Sequence, residues 1–213
     1  MSLPFTAEQF FDVFAAYNRA LWPAVIGLWV CALIAVVTLA RHRPHSGRWI
    51  AAMLALQWVW AGLVYHAAFF SSINRGAWLF SGLFVAEGVL LIRHGVVHDG
   101  LQFSPLGSPR HILAWGLIAY ALAYPLLVQA NGHTFPRTPT YGVPCPTTLL
   151  TVGFLFAADP PLPRLVTVIP IVWAAVAGSA AVLLGVRADL MLWVAGIALA
   201  GYVLTPKTSK VPA

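Results

Sequence analysis

The segment HTFPRTPTYGVPCPTTLLT at 133–151 carries the thiol of Cys145 between two prolines, directly before an apolar stretch. Pro144 and Pro146 suit the first turn of a helix but not its interior. A helix that begins there would direct free N–H groups and the positive end of its dipole at the space in front of it. Such a position favours an anion, a polar solute or a thiolate. The alternative is a plain capped helix start, in which Cys145 only fills space.

Other polar side chains are expected near the same end of the molecule. His66 lies in WAGLVYHAAFF, close to one end of a long apolar stretch, and His133 begins the proline-rich segment. We therefore predict a pocket with five ligand-binding residues, which are His66, His133, Cys145, Thr147 and Thr148. A structural interpretation stays open for each, since a single histidine near an interface often only packs and the threonines can cap the helix.

Gln57 and Glu87 are the polar residues that lie deepest in apolar stretches, in LALQWVWAG and LFVAEGVLLIRH. An ionisable group inside a bilayer costs about 2.5–3.5 kcal/mol on insertion scales, so it suggests a function. The two residues are predicted at similar depth, where they could share a hydrogen bond. They either join two helices or line a path for protons or cations.

Five histidines are predicted on the opposite side and are weak candidates for metal ligands: His42, His45, His94, His98 and His111. His94 and His98 are four residues apart, the spacing of one helix face. Membrane di-iron enzymes use several such clusters, and this chain has fewer histidines than they need. A haem between spans lacks a second ligand, because only His66 lies inside one. The sequence therefore assigns no cofactor and no catalytic residue.

Composition defines the elements that must position these groups. Of 213 residues, 60% are hydrophobic and 8% are charged, and the mean hydropathy is +0.82. These values predict an integral membrane protein in which 1–213 form a single transmembrane domain. The net charge of +6 is spread over short loops, which argues against nucleic-acid binding.

Seven apolar segments approach the roughly 20 residues that a spanning helix needs. They lie at about 20–40, 49–70, 76–93, 111–130, 144–158, 165–185 and 188–205. The sequence thus predicts an all-α bundle of about seven transmembrane helices. A capping-box pattern at Thr6 and Gln9 predicts an interfacial helix at 6–17 before the first span. The fifth segment is short, so its helix is predicted to start below the membrane surface after a loop that dips into the protein.

Positive charge predicts the orientation of the spans. One side of a seven-span arrangement holds Arg41, Arg43, Arg48, Arg93, Arg110, Arg164, Lys207 and Lys210. The other side holds Arg19, Arg75, Arg137 and Arg187. Because cytoplasmic loops carry the excess of basic residues, we predict the N-terminus outside and the C-terminus in the cytoplasm.

Three stretches, LPFTAEQFFDVFAAYNRALWP, WAGLVYHAAFFSSIN and GHTFPRTPTYGVPCPTTLLTVGFL, resemble a bacterial family of small polytopic inner-membrane proteins of unknown function. The resemblance covers nearly the whole chain. It implies a multi-pass protein of the bacterial inner membrane and implies no activity, ligand or catalytic residue.

The leading functional hypothesis is binding or transport of a small solute or ion through an outward-facing polar pocket. Alternatives are a metal- or thiol-dependent membrane enzyme and a non-catalytic accessory subunit of a membrane complex. The expected partners are the lipid bilayer, a small solute or ion, and either a second copy of the chain or a membrane complex.

Overall fold

A computed structural model describes residues 4–205, and these residues form seven helices and no β-strand. The helices are α1 (Ala7–Arg41), α2 (Ser46–Ser72), α3 (Ala77–Val97), α4 (Arg110–Ala130), α5 (Pro144–Ala157), α6 (Leu165–Leu184) and α7 (Arg187–Leu204). Large apolar side chains cover the outside of the bundle, among them Leu79, Ile112 and Ile197. The prediction of an all-α membrane bundle is confirmed.

Six of these helices are long and apolar enough to cross a bilayer, and α5 is the exception. Its 14 residues rise about 21 Å, which is less than the ~30 Å of a hydrocarbon core. The seven predicted segments therefore correspond to seven helices within 4–205, and six of them are long enough to span. The fifth predicted segment, 144–158, is the short helix α5.

The predicted interfacial helix and the first span are one kinked element, α1. Thr6 and Gln9 form the predicted capping box at its start. Leu21 leaves the helical conformation at φ −128° and ψ 17°, two residues before Pro23, which cannot donate a helical hydrogen bond. Before this kink, Phe14 and Tyr17 are buried against the bundle, so the segment packs on protein instead of lying only on a membrane surface.

Several basic residues predicted for the cytoplasmic side do lie at one end of the bundle. Arg48 pairs with Asp99 at 3.3 Å, and Arg110 pairs with Asp159 at 3.5 Å. The 99–104 segment links these two pairs, because the Ser104 hydroxyl donates to Asp159 at 2.7 Å. We call this end the inner end and the opposite one the outer end, in keeping with the predicted orientation. Lys207 and Lys210 lie outside the described residues.

Helix α5 occupies the centre of the bundle. All of its residues are buried except Cys145, which is partly buried. It contacts α2, α4, α6 and α7, and Trp58 of α2 donates to the Thr151 hydroxyl at 2.8 Å. A helix enclosed on every side can be shorter than the bilayer, because neighbouring helices and not lipid surround its ends.

The 131–143 loop descends into the bundle to reach the start of α5, as predicted. Residues 138–143 are buried. Tyr141 donates to the Ala121 carbonyl at 2.7 Å, and burial raises the pKa of this phenol, so it stays a donor. Tyr17 of α1 donates to the Tyr141 carbonyl at 2.9 Å.

Asn18 fastens the same loop to α1. Its amide donates to the carbonyls of Pro136 at 2.6 Å and Thr138 at 2.8 Å, and its oxygen accepts from the Thr140 hydroxyl. Backbone groups away from water must find such partners. The loop is therefore fixed by α1 on one side and α4 on the other.

Candidate functional site

A cavity of about 230 Å³ lies near the outer end, in front of the first turn of α5. We call it the chamber. Its aromatic lining residues are Phe5, Phe10, Phe14, Tyr65, Phe70, Phe80 and Trp173. Polar side chains on its walls include His66, Cys145 and Asp189. The predicted pocket was polar, whereas most of the wall is aromatic or aliphatic and only a few groups are polar.

The lining of the chamber reaches the outside of the bundle at α6. Val176, Ser179 and Leu183 line it from α6 and are exposed on the outside of that helix. On the other side Phe5 and Phe10 line it from the N-terminal segment and are stacked at 5.9 Å between ring centroids.

Asp189 connects three helices at the chamber. It lies in the first turn of α7 and is only 5% exposed. One carboxylate oxygen accepts from the phenol of Tyr124 on α4, and the other accepts from the thiol of Cys145 on α5 at 3.3 Å. Sequence reasoning missed both Asp189 and Tyr124, because an aspartate between two spans is typical of a solvated turn.

His66 is the second group with unusual surroundings. It is 1% exposed, and neither ring nitrogen has a hydrogen-bond partner. Its ring lies edge-on to Phe84 at 4.8 Å and to Trp173 at 5.2 Å, and the indole nitrogen of Trp173 also lacks a partner. Buried polar atoms without partners are costly and call for an explanation, such as a ligand that satisfies them.

The backbone around His66 departs from an α-helix. Residues Ala61–Phe69 form a π-helical stretch in α2, and Gly62 allows α3 to approach so closely that an added Cβ would lie 2.9 Å from the Ser81 carbonyl oxygen. Such π-helical stretches are frequent at functional sites. The consecutive residues Tyr65 and His66 are both buried and both line the chamber.

Of the five predicted pocket residues, the structure brings together His66 and Cys145. Thr147 and Thr148 donate instead to carbonyls of the preceding turn, those of Val143 and Pro144, each at 2.9 Å. His133 stacks on Phe11 at 4.0 Å between ring centroids and does not line the chamber. Neither threonine acts as a side-chain cap of α5.

The predicted hydrogen bond between Gln57 and Glu87 does not form. Both Glu87 oxygens and Oε1 of Gln57 are buried without a partner, while the Gln57 amide lies 3.5 Å from the Leu28 carbonyl. A similar depth of the two residues in adjacent helices is not sufficient for a hydrogen bond, because the rotation of each helix about its axis also decides which side chains meet. Neither residue lines the chamber.

The inner-end histidines do not converge on one point. Within 4–205 no three or more His, Cys, Asp or Glu residues are grouped so as to hold a metal ion. His42 contacts the Phe103 carbonyl at 2.9 Å and His111 contacts the Ser108 amide at 3.0 Å. The His94 and His98 rings are 6.3 Å apart, so the four-residue spacing brings only these two near one another.

Cys145 is expected to react slowly with a water-soluble maleimide in the folded protein. The thiol donates to Asp189, so it is protonated in this contact, whereas the thiolate is the nucleophile. A Cys31→Ser background leaves Cys145 as the only thiol. Labelling should be at least about tenfold slower than that of the same chain unfolded in detergent and urea. An equal or faster rate in the folded protein would favour the activated thiolate.

The helices and the chamber together define a multi-pass helical membrane protein with a cavity of ligand size beside a short central helix. The model of DUF6064, a family of unknown function, matches residues 7–211, and the chain belongs to this family. No curated protein and no solved structure matches the chain.

Proposed function

We propose that the chamber binds a small lipophilic organic cation, such as a substituted ammonium ion. The observation that carries the proposal is Asp189, a buried carboxylate on the chamber wall with no ion pair to a lysine, arginine or histidine among the described residues. A buried carboxylate needs an opposite charge or a proton. Among residues 4–205 no lysine or arginine lines the chamber, so a ligand cation would supply the missing charge.

The aromatic lining supports the same ligand class. Aromatic rings attract a cation at their faces, and cages of such rings recognise quaternary ammonium groups. One set of packed rings consists of Phe10, Phe14 and Phe70. Its ring centroids are 4.9 Å apart for Phe10 and Phe14 and 6.0 Å apart for Phe10 and Phe70. A second set is the pair of Phe80 and Trp173, whose ring centroids are 5.2 Å apart.

His66 adds a hydrogen-bonding position. A neutral imidazole keeps one nitrogen as an acceptor, and in His66 that nitrogen has no protein partner. A protonated amine in the chamber has His66 as an acceptor and Asp189 as a counter-charge on the same cavity wall. The volume also fits: a cavity of about 150 Å³ accepts benzene, and the chamber measures about 230 Å³.

A thiol-dependent enzyme is less well supported by the contacts of Cys145. Its sulfur has a carboxylate as its partner, and no described histidine is bonded to it. Nucleophilic cysteines are usually activated by a base or a positive charge. Onward transport remains part of the proposal, with Glu87 and Gln57 as residues of a deeper route.

A matched pair of probes tests the ligand class. Phenyltrimethylammonium and tert-butylbenzene have nearly the same shape and differ in charge, and benzoate carries the opposite charge. Titrated into the protein in nanodiscs, the cation should give a saturable change in tryptophan fluorescence that Trp173→Phe reduces. The proposal is wrong if tert-butylbenzene or benzoate binds as tightly as the cation.

A further inference from the structure

A groove of about 470 Å³ runs along the inner half of α1 to the start of α2. We call it the arginine groove. Its lining includes Val30, Ile34, Val37, Arg41, Arg43 and Trp49. We propose that it binds an anionic phospholipid, with the phosphate at Arg41 and Arg43 and one acyl chain along α1. This site is separate from the chamber and does not depend on the proposed function.

Within the part of the chain that the structure describes, the positive charge of the groove has no counter-charge. Arg41 and Arg43 are exposed, and the described residues give neither of them a carboxylate partner. Arg48, two residues into α2, shows the contrast because it pairs with Asp99. No aspartate or glutamate of the described segment 4–205 lines the groove. A phosphate offers several acceptor oxygens, and the planar guanidinium of arginine can donate to two of them at once.

The turn between α1 and α2 holds the two arginines together. His42 and His45 both adopt positive φ, 41° and 63°, which reverses the chain within a few residues. The Arg43 amide donates to the Ser46 hydroxyl at 2.9 Å, which closes the turn. The basic groups therefore lie on a short, well-defined turn.

The apolar wall argues for a lipid and against a free phosphate. Val30, Ile34 and Val37 lie at helical spacing on the exposed face of α1. From Val30 to Arg41 the helix rises about 16 Å, long enough for much of an acyl chain. Trp49 is 63% exposed on the opposite wall, and tryptophan is enriched at headgroup level.

The position of the arginine groove also agrees with the predicted orientation of the spans. Basic pockets at the cytoplasmic ends of spanning helices bind anionic headgroups, and each arginine near the surface contributes to attraction of such lipids. The groove lies at the predicted inner end, beside the ion pair of Arg48 and Asp99.

Native mass spectrometry of the whole protein with added lipid tests the proposal. We expect one phosphatidylglycerol to stay bound at collision energies that remove phosphatidylcholine. The double variant Arg41→Gln/Arg43→Gln should lower the bound fraction about tenfold. Arg93→Gln is the matched control, because Arg93 is also exposed at the inner end and does not line the groove.

A second variant tests whether the acyl chain of the lipid lies in the groove. Val37→Trp fills the groove without changing charge and should also lower phosphatidylglycerol binding at least about fivefold. The proposal is overturned if Arg93→Gln weakens binding as much as the double variant, if Val37→Trp has no effect, or if glycerol phosphate displaces the lipid at equal concentration. Circular dichroism confirms that each variant is folded.

Discussion

Replacing Gly142 by alanine is expected to lower the free energy of unfolding by about 2–5 kcal/mol. Gly142 has φ +79°, a left-handed conformation that costs a residue with a Cβ about 1–2 kcal/mol. The new Cβ would also lie within 3.0 Å of Tyr17, Leu28 and Trp60. Overpacking of this kind costs about 1–3 kcal/mol. The contacts come from α1 and α2, so the substitution would push the loop away from both helices.

Thermal unfolding in detergent measures this effect. For a chain of this size each kcal/mol shifts the melting temperature by about 2–4 °C, so Gly142→Ala should lower it by roughly 4–20 °C. Gly132→Ala is the matched control, since Gly132 has φ +98° in the same loop and an added Cβ would meet nothing within 4 Å. Equal shifts for the two variants would show that the close contacts of Gly142 contribute nothing.

Replacing Asp189 by asparagine should weaken phenyltrimethylammonium binding about 10–100-fold. The variant keeps the shape and can still accept the Tyr124 hydrogen bond, while it removes the negative charge. Interactions with a charged group are worth about 1.5–3 kcal/mol, which corresponds to that range of dissociation constants. Binding of the neutral probe should stay constant or improve.

The control for this experiment is Tyr124→Phe. It removes one hydrogen bond from Asp189 and leaves the charge, so cation affinity should change less than about fivefold. Both variants alter the same network, and a shared structural defect would affect them alike. If Asp189→Asn bound the cation as tightly as the unchanged protein, Asp189 would not be the counter-ion.

Much of the architecture could be predicted from the sequence because bilayer thickness imposes a length on each helix. The six long helices are predicted by the lengths of the apolar segments. The start of α5 below the surface of the bundle is predicted by Pro144, Pro146 and the short apolar segment that follows them. The predicted helix at 6–17 and the first span are both present, and they are joined in α1 across the kink at Leu21 and Pro23. Proline predicts a disturbance of the helix better than it predicts the helix boundary.

The site was harder to predict because its members are distant in sequence. Asp189 contacts Cys145 across 44 residues and Tyr124 across 65. Sequence patterns report periodicity within an element, whereas these contacts depend on how α4, α5 and α7 are arranged around one another. One signal in the sequence could have helped. Tyr124, Cys145 and Asp189 all lie near the predicted outer end of their apolar segments. His66 was identified by its chemistry, and its unpartnered nitrogens are visible only in the folded chain.

The enclosure of α5 has a consequence for how the protein is made. A helix that rises about 21 Å is too short to span the hydrocarbon core by itself, and its start after the buried 138–143 loop adds backbone that only protein can cover. During synthesis α5 emerges before α6 and α7, which form part of its enclosure. A nascent chain that stops near residue 160 would therefore expose α5 on one side, and assembly would be completed only when the last two helices close around it.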